Sequence, residues 1–251
     1  MSRRHHPHPI RFVTGVAAFF LVLSVYLPGS LWTSLRVGTE RSVALAAASF
    51  MPPKGATKML AVPFHKQEHA LSCEVASLRS ALHAIGTNVS EDILMGALRV
   101  DPTSKRQVGS RLTWGDPDKG FVGDIDGKMP GTGYGVHAGP IAELASFYAS
   151  TTRIRANDAR AIVRAIDAGH PVIAWSVLGS RPRRLSWSGP DGGRVNAALY
   201  EHTVVIAGYR GSAEKIERVY LIDPQTGLRS QTWKEFVWRT GFLDHQALVV
   251  H

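Results

Sequence analysis

Apolar positions along the chain follow three patterns. The first is an uncharged stretch from Phe12 to Leu35, with its apolar heart at Phe12 to Leu27. A membrane-spanning helix needs about 20 such residues. The second pattern is helical. Val75, Leu78, Leu82 and Ile85 recur at intervals of three and four, which predicts a helix from Cys73 to Ile85, capped by Ser72 and stopped by Gly86. Ser90 is placed to cap a second helix to about Leu98, with Ile93, Leu94 and Leu98 as its apolar side. Further helices are expected over 140–148, over 157–168 behind Asn157 and before Gly169, and over 233–238 behind Thr232. The third pattern is strand-like and covers 59–64, 171–178, 202–209, 218–222 and 246–250.

Between these elements, residues 101–138 are glycine-rich and lack periodicity, which reads as one long functional loop. A second polar loop surrounds Gly189 to Gly193. Helices followed by strands define an α+β domain over residues 59–251, with no internal repeat. Residues 1–37 form a basic leader with an anchor or signal segment, and residues 38–58, rich in Ala, Ser and Pro, read as a linker.

Charge and cysteine usage sharpen this picture. The net charge is +9, and part of it lies in Arg3, Arg4 and Arg11 ahead of the apolar stretch. Basic residues on that flank stay cytoplasmic, so the domain is expected to face outward. An uncleaved anchor is favoured over a cleaved signal, because the small-residue site at Ala44-Leu45-Ala46 lies far beyond the apolar heart. Either way the domain is single-pass with its globular part outside, or secreted. The basic excess suits an anionic surface or acidic substrates. Arginines are scattered and the only dense cluster, Arg181-Pro182-Arg183-Arg184, is short, which argues against nucleic acid. One cysteine excludes an intramolecular disulfide and a structural zinc site. The aspartate-rich run from Trp114 to Gly127 lacks the ligand spacing of a calcium loop and reads as a substrate loop instead. No cofactor is called for.

The candidate chemistry centres on that cysteine, Cys73, at the first turn of the expected helix. Helix N-terminal N–H groups and the macrodipole favour a thiolate there. Gln67, six residues upstream, is a candidate donor to a developing oxyanion, together with the Cys73 backbone N–H. His202 opens the apolar strand His202 to Tyr209, where packing would fix its ring. Asp223 ends the next strand, placed to accept the second ring N–H and set the tautomer. His65 and His69 sit in the loop before Cys73, and His137 and His170 occupy turn contexts, so they rank lower. Cysteine, histidine and aspartate in this order, with the upstream glutamine, form the set used by papain-like thiol hydrolases.

The segments Val62-Pro63-Phe64-His65-Lys66-Gln67 and Leu71-Ser72-Cys73-Glu74-Val75-Ala76 resemble the catalytic start of the bacteriocin-processing-type cysteine peptidases, family 39 of cysteine peptidases, in their stand-alone branch. Trp114-Gly115-Asp116-Pro117, Gly120 to Asp124, Gly131 to Gly135, Glu201 to Val205 and Ile222-Asp223-Pro224 carry the same resemblance, which spans roughly residues 60–250. It implies a papain-like fold, with an N-terminal helical part carrying the cysteine and a C-terminal antiparallel sheet carrying histidine and aspartate. It also implies Cys73 as nucleophile, His202 as base, Asp223 as its orienter, Gln67 in the oxyanion hole and a peptide or protein as substrate. Glu74 stands where many leader-processing members carry glycine, and no transporter ATP-binding motif is present. Two other readings share this chain: an amidase or transpeptidase on cell-wall peptides, and a non-catalytic module that keeps the fold.

Overall fold

The computed structural model describes residues 53–251. The anchor or signal segment and most of the linker lie outside the described residues. Among the described residues no helix is long and apolar enough to cross a membrane.

Five helices and fourteen strands make up the domain. The helices are α1 Cys73–Ala84, α2 Glu91–Ala97, α3 Ala138–Ala145, α4 Ala159–Asp167 and α5 Trp233–Thr240. The strands are β1 Lys58–Met59, β2 Val100–Asp101, β3 Arg106–Val108, β4 Arg111–Thr113, β5 Phe121–Gly123, β6 Gly133–Gly135 and β7 Thr151–Arg155, then β8 Val172–Val177, β9 Arg184–Ser188, β10 Arg194–Ala198, β11 Glu201–Gly211, β12 Ile216–Asp223, β13 Gly227–Thr232 and β14 Gln246–Val250. The main sheet is antiparallel in the order β13-β12-β11-β8-β14-β7, and β1 adds to β11.

Side-chain alternation along the strands buries both faces of this sheet. Ile173, Trp175 and Val177 of β8 join Val75, Leu78 and Leu82 of α1, Leu94 of α2 and Ile141 of α3 on one face. Val172 and Ala174 join Ile162 and Ile166 of α4 and Phe236 of α5 on the other. One hydrogen bond aligns α1 with β11: Ser77 Oγ donates to the Thr203 carbonyl at 3.2 Å. Ser77 is one turn beyond Cys73, and Thr203 is next to His202. The two expected chemical residues are thereby carried to the same end of the domain.

Several boundaries differ from the sequence expectation for identifiable reasons. Residues 101–138 are not a bare loop. They contribute β2 to β6, split between the sheet β2-β5-β6 and the sheet β10-β9-β4-β3. These strands have two or three residues each, too few for a period to register. Around them a third core forms from Trp114, Val122, Tyr134, Trp187, Val195 and Ala197. Strands β7, β9, β10 and β13 were not anticipated either; outer positions of β7 and β13 are largely exposed, so they carry little apolar signal. Strand 59–64 shrinks to β1, with Pro63 following soon after. Asp158 caps α4 rather than Asn157, accepting from Ala161 N at 3.0 Å. Ser90 and Thr232 cap as expected, accepting from Ile93 N and Glu235 N. Ile93, expected on the buried side of α2, is exposed, whereas Leu94 and Leu98 are buried.

Candidate active site

Ser72 precedes α1 but does not cap it. Its hydroxyl instead exchanges hydrogen bonds with the His69 backbone, at 3.2 and 3.3 Å, and folds the approach loop. Cys73 therefore begins α1 as expected, and it is buried. Its thiol donates to Glu74 Oε2 at 3.3 Å. Burial pushes the thiol well up, and the charges of Glu74 and Glu201 push it further, against a Thr203 backbone hydrogen bond that pulls it down. The helix N-terminus was expected to favour the thiolate; desolvation and two carboxylates outweigh it in this state.

His202 is buried where β11 begins, and its Nε2 lies 3.1 Å from Asp223 Oδ1. Asp223 also accepts from Gln225 N at 2.8 Å and from Arg229 Nη1 at 2.9 Å. Burial opposes its charge, but the His202 hydrogen bond and charge, the Gln225 N–H and Arg229 outweigh burial, so its carboxyl lies far below the usual range. Cys73 and His202 line one cavity of about 160 Å³ with Ala70, Leu71, Met129, Tyr134, Leu178, Tyr200, Glu201 and Gln225.

Gln67 is tied to the same corner, since its backbone N–H donates to the Pro224 carbonyl at 2.9 Å. Its side-chain N–H groups go to the carbonyls of His69 and Ala70, at 2.8 and 3.0 Å, while Oε1 is buried without a partner. The other histidines are engaged elsewhere. His65 Nε2 lies 2.6 Å from the buried Glu91, and His69 Nδ1 lies 3.1 Å from Asp126. His137 faces Asp118, and His170 packs edge-on against His251.

Two further residues belong to this site, Glu74 and Glu201, which the sequence offers only as a departure after the cysteine and as part of the Glu201 to Val205 resemblance. Both carboxylates are buried beside Cys73. Glu74 Oε1 accepts from Val136 N at 2.7 Å, which ties α1 to the end of β6. The approach is close enough to require glycine at 135: a Cβ there would collide with Glu74 Oε1, and φ is +130°. The signal was available in the sequence as two acidic residues, one touching the cysteine and one touching the histidine in an otherwise apolar context.

Burial raises the Glu74 carboxyl from 4.5 to about 7, and burial plus the Glu74 charge raises Glu201 well above its ordinary range. A carboxyl with a raised native pKa binds its proton more tightly when folded, so its contribution to stability is complete below the unfolded value and is lost as pH rises through the folded one. The melting temperature is therefore expected to fall as pH rises from 4.5 to about 7. Circular-dichroism melts across that range check this, and Glu201→Gln should flatten the fall.

A cysteine at a helix start and a buried histidine–carboxylate pair share one cavity on this α+β frame, an arrangement that fits a cysteine peptidase. Residues 59–244 match the Peptidase_C39 like family, and the chain belongs to that family. Among solved structures, a C39-like peptidase from Bacillus anthracis shares 26% identity over 77% of this chain and 97% of its own, with a TM-score of 0.64. A double glycine motif protease from an AMS/PCAT transporter, solved in complex with the leader peptide, shares 16% identity over 78% of this chain and 94% of its own, with a TM-score of 0.42. The peptidase domain of Streptococcus ComA, a bifunctional ABC transporter, shares 16% identity over 77% and 97%, with a TM-score of 0.43. No curated protein matches the chain.

Proposed function

We propose that this protein hydrolyses peptide bonds through Cys73, His202 and Asp223, and that it does so outside the cytoplasm. The observation that carries the reading is the cavity that Cys73 and His202 share, with the His202 ring held from behind by Asp223. With Nε2 committed to Asp223, Nδ1 is the nitrogen left to take the thiol proton. The thiolate attacks the substrate carbonyl, and the tetrahedral oxyanion collapses to a thioester as His202 protonates the leaving amine. Water, deprotonated by His202, then releases the acid and restores the thiol. The apolar walls given by Leu71, Met129, Tyr134 and Leu178 suit one apolar substrate side chain beside the scissile bond.

Gln67 serves the oxyanion when its amide leaves the His69 and Ala70 carbonyls. Gln67→Ala is expected to lower kcat by about 10²- to 10³-fold, the usual cost of one such donor, with little change in KM. Steady-state kinetics on a fluorogenic peptide check this; an unchanged kcat with a lowered melting temperature would leave Gln67 as a brace of the loop. The outward location rests on the basic flank and the uncharged stretch from Phe12 to Leu35. Protease accessibility of the domain in intact cells against lysed cells tests it, and protection in intact cells would reverse it.

A further inference from the structure

Glu74 and Glu201 take no part in the proposed hydrolysis, yet Glu74 accepts from the Cys73 thiol at 3.3 Å. Among the described residues, one ligand atom from each of Cys73, Glu74 and Glu201 lies within 4.8 Å of the other two. Glu74 is fully satisfied, with the Cys73 thiol on Oε2 and Val136 N–H on Oε1. Glu201 is not. Its Oε1 accepts from the Thr203 hydroxyl at 3.3 Å, and its Oε2 is buried with no partner. A bare carboxylate oxygen beside a second buried carboxylate is among the costliest arrangements in a protein interior.

No cation relieves it. The titratable groups facing the pair are Cys73 from α1, Tyr134 from β6 and His202 from β11, with Asp118 and His137 farther along the β6 side and Asp223 with Arg229 behind His202. Among the described residues, no basic side chain forms an ion pair with Glu74 or Glu201. Two like charges at such range cannot both ionise readily, and one proton shared between them removes the conflict without any added atom.

We propose that Glu74 and Glu201 hold one proton between them and that this proton gates the reactivity of Cys73, a regulation that rests on Cys73 being the nucleophile. With the proton in place, the pair carries a single negative charge, and Glu74 accepts from the thiol. When the proton leaves to solvent at higher pH, two negative charges face the sulfur and the thiolate becomes harder to form. Glu201 is a positioning residue here, acting through Glu74. An ordinary thiol gains about tenfold in thiolate for each pH unit below its pKa. Cys73 is instead expected to level off across the range in which the pair loses its proton, because each step that favours the thiolate also adds the charge that opposes it.

The test is the pH profile of Cys73 alkylation by iodoacetamide, an uncharged probe, in the full-length wild type and in Glu201→Gln. Glutamine keeps an acceptor for Thr203 and offers an N–H to Glu74 in place of the shared proton. The plateau should be present in the wild type and absent in the variant, which at pH 8 should react about tenfold faster or more. Superimposable profiles would overturn the proposal. Should the variant misfold, carbon-13 NMR of glutamate-labelled wild type reads the proton directly. Two carboxyl signals titrating together above the ordinary range support the pair, and two carboxylates both ionised at pH 5 overturn it. Protection of Cys73 by micromolar zinc chloride, lost in Glu201→Gln, would mean that the space holds a cation and not a proton, and would overturn it too. A gated alkylation profile in a protein with no peptide hydrolysis would defeat the proposed function and, with it, the regulatory role of the proton, while the shared proton itself would stand.

Discussion

Cys73→Ala abolishes peptide hydrolysis. The expected loss in kcat is on the order of 10⁶-fold, the scale seen when the nucleophile of a catalytic triad is removed. No other thiol exists in the chain to substitute for it. The change is also structurally mild, which makes it a clean test. Cys73 makes one weak side-chain hydrogen bond, to Glu74, and Glu74 keeps its bond from Val136 N in the variant. The fold is expected to survive with a melting temperature near that of the wild type. Residual turnover on a fluorogenic peptide within tenfold of the wild type would remove Cys73 from the mechanism, and with it the proposed function.

Asp223→Ala is the second large effect, with an expected fall in kcat of about 10⁴-fold. Asp223 receives three hydrogen bonds, with His202 and Gln225 N on Oδ1 and Arg229 on Oδ2. Alanine removes all three, so the His202 ring loses both its tautomer and its orientation. Asparagine separates those losses. With its oxygen toward His202 and Gln225, it keeps both of those bonds and turns its NH₂ toward Arg229, whose side chain is half-exposed and free to move into water. Asp223→Asn is therefore expected to retain well over ten times the activity of Asp223→Ala. Equal losses in the two variants would mean that the charge of Asp223 matters and its geometry does not. The measurement is kcat and kcat/KM for both variants on the same fluorogenic peptide.

The sequence was most legible where one physical pattern dominated. The period of Val75, Leu78 and Leu82 located α1, because that face packs against a sheet. The apolar runs at 202–209 and 218–222 located β11 and β12, because both of their faces are covered. The positions of Cys73, His202 and Asp223 were legible because each sits at or next to the end of such an element. The segment 101–138 was not legible. Its strands are held by contacts distant in sequence, such as Trp187 Nε1 donating to the Gly115 carbonyl and Trp114 packing on Trp187, and no local period records them. Gln67 was legible as a residue type and not as a geometry, because its amide is fixed by two carbonyls of its own loop. Glu74 and Glu201 were legible as neighbours of the cysteine and the histidine but not as a buried pair. Acidic residues are ordinarily read as solvated, and only the three-dimensional packing shows these two enclosed.

The hydrogen bond from Cys73 to Glu74 has a consequence for how the protein ages. Oxidants attack the thiolate and spare the thiol, and the first product, a sulfenic acid, is normally rescued by a second cysteine. This chain has no second cysteine. A buried sulfur whose environment favours the thiol over the thiolate is expected to react slowly with peroxide. Shelter of the sulfur would then stand in for a resolving cysteine, and slow loss of the free thiol under dilute peroxide is the expected result.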